Sequence, residues 1–75
     1  MTSILKIHSV RGDDRYEWEP GVSDERLQKA EEMFRESQRH GFFAYSRHQN
    51  GDTRVLDEFD SSAREILMTV PLHGG

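Results

Sequence analysis

The sequence lacks cysteine altogether, and it contains only two prolines and one tryptophan among 75 residues. Without cysteine, the chain can form no disulfide, no thiolate zinc site and no cysteine nucleophile. Small secreted domains usually depend on disulfides, so we expect a cytoplasmic protein. No apolar run approaches the ~20 residues of a membrane span, and we therefore expect no membrane association.

Positive charge is not concentrated in any part of the sequence. The chain has 14 acidic and 10 basic residues, for a net charge of −4, and its basic residues occur singly. Nucleic-acid binding normally needs a basic patch, so we expect no nucleic-acid partner. The acidic balance favours a basic protein partner instead. A chain this short forms one domain with a thin core, which leaves little room for a buried catalytic cleft.

The N-terminal part of the sequence predicts a β-hairpin. Residues 4–10 form the first strand candidate, and residues 12–14, Gly-Asp-Asp, are a strong turn signal. Residues 15–19 then alternate between polar and aromatic side chains. This alternation predicts a second strand with Tyr16 and Trp18 on one face.

A helix is expected between residues 23 and 41. Ser23 is the predicted N-cap, with Val22 and Leu27 as a hydrophobic staple, and Gly41 is the predicted left-handed C-terminal cap. The apolar stripe that would face the core recurs at helical spacing. It consists of Leu27, Ala30, Met33, Phe34 and Ser37.

The C-terminal part predicts a second hairpin and a last strand. Residues 42–47 and 53–59 flank Asn50-Gly51, the strongest short hairpin signal in the chain. A turn begins at Asp60, and we expect one turn of helix to follow it. Residues 66–70 are apolar on both faces, which predicts a strand in the middle of the sheet.

These elements predict an α+β fold with one helix on a four- to five-stranded mixed sheet, in the order ββαβββ. Strands that carry Glu17, Glu19, Arg54 and Asp57 look like polar edges. The first and last strands would then lie side by side at the centre, which is the β-grasp arrangement. An antiparallel sheet without the central parallel pair is the alternative.

In element order, size and its ending Val70-Pro71-Leu72-His73-Gly74-Gly75, the chain resembles the ubiquitin-like β-grasp proteins. The resemblance implies a single domain over residues 1–71 and a flexible tail over residues 72–75. It also implies that Gly75 is adenylated and passed to a conjugating partner. Gly74, without a side chain, would fit the narrow channel of the activating enzyme, which would recognise Leu72 and His73. We also expect a monomer without a cofactor.

Two alternatives from other classes remain open. The first is a small acidic protein, phage-encoded in this interpretation, that binds or inhibits a larger host protein without covalent attachment. The second is an assembly component that self-associates through its edge strands. The candidate partner-binding residues are Trp18, Phe43, Tyr45, Asp57, Glu58 and Asp60. A vaguer similarity to small phage and prokaryotic proteins involves Gly12-Asp13, Trp18 with Pro20, Gly41-Phe42 with Ala44, Phe59-Asp60 and the ending 71–75.

Catalytic and metal chemistry find little support in the sequence. The four histidines are widely separated and show no metal-ligand spacing. Asp57 and Glu58 could ligate a hard cation with Asp60, but neighbours on a strand point to opposite faces. Serines occur without an oriented base nearby. We therefore expect no metal site and no enzymatic activity.

Overall fold

The computed structural model describes residues 2–48 and 50–70. They form a small α+β unit with one helix on a five-stranded mixed sheet, in the strand order β2-β1-β5-β3-β4. The elements along the chain are β1 (Ser3–Ser9), β2 (Gly12–Trp18), α1 (Glu25–Arg39), β3 (Phe43–Arg47), β4 (Thr53–Leu56) and β5 (Glu65–Thr69).

The sheet is held together by one parallel and three antiparallel pairings. β1 and β5 run parallel, with Leu5 opposite Ile66, while β1–β2, β3–β5 and β3–β4 are antiparallel. The alternative without a parallel pair is therefore wrong. The expectation that the polar strands form the edges is confirmed, because β2 and β4 lie at the two ends of the sheet.

The first hairpin turns earlier than the sequence suggested. β2 begins at Gly12, which pairs with Ser9, so Val10 and Arg11 form the turn, and residues 12–14 belong to the strand. Gly12 has a φ of 126°, which side-chain-bearing residues rarely adopt. The Ser9 hydroxyl accepts from the Arg11 amide at 3.2 Å and donates to the Gly12 carbonyl at 3.0 Å. The Gly-Asp-Asp signal was therefore misplaced, because its glycine follows the turn.

The helix begins one residue later than predicted, with Asp24 as the N-cap. Its carboxylate accepts from the backbone amides of Arg26 and Leu27, at 3.1 and 3.2 Å. These bonds lower the pKa of Asp24, the one to Leu27 most, while desolvation opposes them. The Ser23 cap and its staple are wrong, and Val22 is exposed.

The helix ends as predicted, at a left-handed glycine. Gly41 has a φ of 87°. Its amide donates to the Gln38 carbonyl, and the Phe42 amide donates to the Ser37 carbonyl, both at 3.0 Å. This pair of bonds is the Schellman motif, and it satisfies carbonyls that the helix end would leave without a partner.

The second hairpin turns at Asn50-Gly51, as predicted. The Gly51 amide donates to the His48 carbonyl at 2.9 Å. β4 ends at Leu56 rather than at residue 59, because the chain then turns toward the helix, where the Gln38 side chain donates to the Asp57 carbonyl at 2.8 Å. The predicted turn at Asp60 is confirmed, because the Ala63 amide donates to the Asp60 carbonyl at 3.2 Å. The helical turn expected to follow it is wrong, since the Arg64 amide donates across to the Arg47 carbonyl.

The core lies between the helix and one face of the sheet. Alternate residues of each strand point toward it, and the predicted helix stripe faces it. Trp18 and Phe34 are its largest members, and Phe59 from the loop before β5 packs against both rings. The buried apolar residues are Leu5, Ile7, Trp18, Ala30, Phe34, Ala44, Ala63, Ile66 and Met68.

Candidate functional site

The predicted conjugation tail, Leu72, His73, Gly74 and Gly75, lies outside the described residues. The structure does describe the strand that leads to it. β5 ends at Thr69, which stands opposite Phe43 on one side and His8 on the other. The chain therefore leaves the middle of the sheet between β1 and β3.

The face of the sheet away from the helix carries a group of apolar side chains. Tyr45 stands opposite Leu67 on β5 and opposite Val55 on β4, and Phe43 lies two residues before it on the same face. Phe43 is 50% exposed and Val55 is 67% exposed. We name Phe43, Tyr45, Val55 and Leu67 the open-face patch. It includes two of the predicted partner-binding residues.

Polar side-chain pairs that link β1 to β5 and to β2 border the open-face patch. The Lys6 ammonium lies 3.3 Å from the Glu65 carboxylate. Further along β1, His8 Nδ1 lies 2.7 Å from Asp13 Oδ1. Such exposed pairs add little stability, but they leave a polar border around the apolar group, which is typical of protein interaction surfaces.

Trp18, another predicted partner-binding residue, lies in the core rather than on the surface. It is fully buried, and its ring centroid is 5.1 Å from that of Phe59. The indole Nε1 donates to the Ser61 carbonyl at 3.0 Å, which satisfies its polar atom. The ring therefore presents no surface to a partner, and Trp18 anchors the loop that follows β4.

Asp57 and Glu58 line a groove between the helix and the loop after β4. The groove has a volume of about 310 Å³, and Phe34 and Phe59 line it, with the Phe34 side chain fully buried. Glu31 and Arg35 line it from the helix, where the Arg35 guanidinium lies 3.2 Å from the Glu31 carboxylate. We name the groove lined by Glu31, Asp57 and Glu58 the acidic groove. Among the described residues, neither Asp57 nor Glu58 has an ion-pair partner.

Asp60 belongs to a different cluster from Asp57 and Glu58. Its Oδ1 accepts from the Ser62 hydroxyl at 2.6 Å and from the Ser62 amide at 2.9 Å. The other carboxylate oxygen lies 3.6 Å from His48 Nε2. The pKa of Asp60 is lowered, first by the Ser62 hydroxyl and then by the Ser62 amide, His48 and Arg54, against partial desolvation. Its position indicates a role in fixing the loop.

Within residues 2–48 and 50–70, no group of three or more histidine, aspartate or glutamate side chains could hold a metal ion. The longest helix in the described part of the chain has fifteen residues, and no helix there is long and apolar enough to cross a membrane. Searches against protein-family models, curated proteins and solved structures return no significant match.

Sequence reasoning missed several residues that the fold adds to these surfaces. Val55 and Leu67 complete the open-face patch, and their strand parity could have placed them there once the pairing was known. Glu31 joins the acidic groove from the helix. Strand pairing and helix orientation bring these residues to the two surfaces, and no local sequence pattern predicts that placement.

Proposed function

We propose that this chain is a ubiquitin-like β-grasp protein that acts as a protein modifier or carrier, activated and conjugated through Gly75. One observation carries the proposal. β5 lies in the middle of the sheet, parallel to β1, and leads within a few residues into Leu72-His73-Gly74-Gly75. A helix across one face, with β2 beside β1 and the β3–β4 hairpin beside β5, supports the same fold family.

The chemistry follows from the tail. In this proposal the Gly75 carboxylate attacks the α-phosphate of ATP, forms an acyl-adenylate and releases pyrophosphate. An enzyme thiol then displaces AMP, and an amine or hydroxyl displaces the thiol to give an amide or ester. A sulfur donor would give a thiocarboxylate instead. The absence of side chains on Gly74 and Gly75 suits a narrow channel. The mechanism requires Gly75 at the mature C-terminus.

The open-face patch supports the proposal by its place beside the chain exit. Phe43 stands opposite Thr69, the last residue of β5. An activating enzyme that holds residues 72–75 could therefore contact Phe43 and its neighbours at the same time. Apolar contact of this kind contributes affinity without taking part in the chemistry.

The test is mass spectrometry of the protein recovered from its native cell through an N-terminal tag. We expect a Gly75 carboxyl group joined to another molecule as an amide, ester, thioester or thiocarboxylate. Deleting Gly74 and Gly75 should abolish these products, whereas Arg39→Ala, an exposed change at the helix end, should leave them intact. Conjugates that persist after the deletion would overturn the proposal.

The acidic groove favours a second candidate function, non-covalent binding of a basic segment on a larger protein. Asp57 and Glu58 are exposed beside the partly buried Phe59, and two such carboxylates suit a lysine or arginine side chain. In this alternative, deleting Gly74 and Gly75 has no effect on complex formation.

Charge reversal tests the second candidate. Asp57→Lys with Glu58→Lys should weaken capture of a stoichiometric partner, and added salt should weaken capture by the unmodified chain. Asp14→Lys with Glu17→Lys makes the same change in net charge on β2 and serves as the control. Equal loss in the two double variants would reject the acidic groove as the binding site.

A further inference from the structure

A groove of about 480 Å³ opens at the end of the sheet where β1 and β5 begin and β3 ends. It lies where β5 begins, whereas the chain continues toward Gly75 from the other end of β5, so the groove is separate from the chemistry proposed above. Its lining includes Thr2, Ile4, Arg47, His48, Gly51 and Arg64. Two arginines in one groove are unexpected in a chain whose basic residues are scattered along the sequence.

Backbone hydrogen bonds bring the two arginines together. The Arg64 amide donates to the Arg47 carbonyl at 3.1 Å, which joins the start of β5 to the end of β3. The Arg64 carbonyl accepts from the Ile4 amide at 3.2 Å, which joins the same point to β1. The positions of both residues are therefore fixed by the strand junction, and only their side chains are free to adjust to a ligand.

The two arginines of the groove differ from other arginines of the chain in having no ion-pair contact with a residue that the structure describes. Within the described ranges, neither Arg47 nor Arg64 has a carboxylate in ion-pair contact, whereas Arg26, Arg35 and Arg39 each have one. Glu65 also lines the groove and stands opposite Arg47 in the β3–β5 ladder, but its carboxylate is bound by Lys6 at 3.3 Å. The His48 ring lies 3.6 Å from the Asp60 carboxylate. Arg47 and Arg64 therefore line the groove with no ion pair of their own among the described residues.

We propose that this groove binds a phosphate group, with Arg47 and Arg64 as its ligands. A guanidinium donates two parallel N–H bonds to phosphate oxygens, a geometry that lysine cannot reproduce. Two such cations favour a dianion over a singly charged carboxylate. The volume also accommodates a phosphate carried on a small molecule or on an amino-acid side chain.

The experiment is a titration of the full-length, ¹⁵N-labelled chain with inorganic phosphate, followed by amide chemical shifts at constant ionic strength and pH 7.5. We expect saturable shifts at Arg47, His48, Gly51 and Arg64, with an affinity in the millimolar range. Arg47→Gln with Arg64→Gln should weaken binding by about tenfold or more, equivalent to about 1.4 kcal/mol. Both side chains are exposed, so the variant should keep the dispersed spectrum of the folded chain.

The control removes two positive charges from another groove, lined by Arg15, Tyr16, Glu17, Arg26 and Lys29. Arg15→Gln with Lys29→Gln should leave the affinity within about twofold, since screening limits long-range effects. Adenosine monophosphate and O-phosphoserine then distinguish the carriers, because contacts beyond the phosphate tighten binding. Shifts that stay linear, that are equal in the two double variants, or that acetate reproduces at equal concentration would overturn the proposal.

Discussion

The two faces of the sheet are built from the same strands, but the helix covers only one of them. On the helix side, Leu5, Ile66 and Met68 are fully buried. On the open side, their strand neighbours Lys6, Leu67 and Thr69 are partly accessible. Because strand side chains alternate, each strand contributes to both faces. Residues on the helix side therefore stabilise the fold, whereas residues on the open side remain available for binding.

The comparison also indicates how the small core is closed. One helix covers mainly β2 and β1, so the other half of the sheet needs a second cover. The loop after β4 supplies part of it through Phe59, whose ring lies 5.1 Å from Trp18 and 5.6 Å from Phe34. The closed face therefore depends on three aromatic rings, whereas no comparable group covers the open face within residues 2–48 and 50–70.

The largest effect is expected from Trp18→Ala on the closed face. The change leaves a cavity beneath the helix and removes the hydrogen bond from Nε1 to the Ser61 carbonyl. A loss of about 3–5 kcal/mol in the free energy of unfolding is expected for a buried aromatic, which is a large part of the stability of so small a domain. Urea denaturation followed by far-UV circular dichroism measures it. A loss below about 1 kcal/mol would contradict the central place of this ring.

A smaller effect is expected at the helix end that leads into the sheet. Gly41→Ala forces a side chain into a positive-φ conformation, at a cost of about 1–2 kcal/mol. A Cβ there would contact nothing within 4 Å, so the cost lies in the backbone and not in packing. Gly41→Asn should cost less, because asparagine tolerates this conformation. Equal thermal stabilities of the two variants would argue against a backbone origin.

The sequence predicted those parts of the fold that local chemistry determines. The turn at Asn50-Gly51, the cap at Gly41 and the helix stripe of Ala30 and Phe34 each follow from a residue type in a fixed pattern, and each is confirmed. The polar edges follow from the same kind of argument, since a strand with one solvated side tolerates charges such as Glu17.

The errors arose where two neighbouring residues could serve the same purpose. Ser23 and Asp24 are both good N-caps, and the extended backbone at Asp24 decides between them. The grooves were missed for a different reason. Arg47 and Arg64 come together only when the strands pair. Glu31 and Asp57 come together only when the helix packs beside the loop after β4. No local sequence pattern predicts either group. The tail prediction at Gly75 depends on residues outside the described part of the chain and stays a prediction.

Acid should weaken the loop that covers the closed face. The pKa of Asp60 is lowered in the folded chain, so its contribution to stability is complete above the unfolded pKa of about 3.9. The contribution is lost as the pH falls through the lower folded pKa. Asp60→Asn should therefore flatten the dependence of the unfolding free energy on pH between about 5 and 3. Asp14→Asn, an exposed change on β2, is the control, and an equal flattening there would assign the effect to net charge.

The smallest effect on stability is expected on the open face. This expectation tests directly whether the two faces of the sheet differ in their contribution to stability. Phe43→Ser and Val55→Ser remove apolar side chains that are already 50% and 67% exposed. Each should change the free energy of unfolding by only about 0.5 kcal/mol, although serine also has a lower strand propensity. If the open-face patch contacts an activating enzyme, both variants should sharply reduce the amount of conjugate recovered from cells, although the chain stays folded. A loss of stability close to that of Trp18→Ala would mean that the open face also holds the fold.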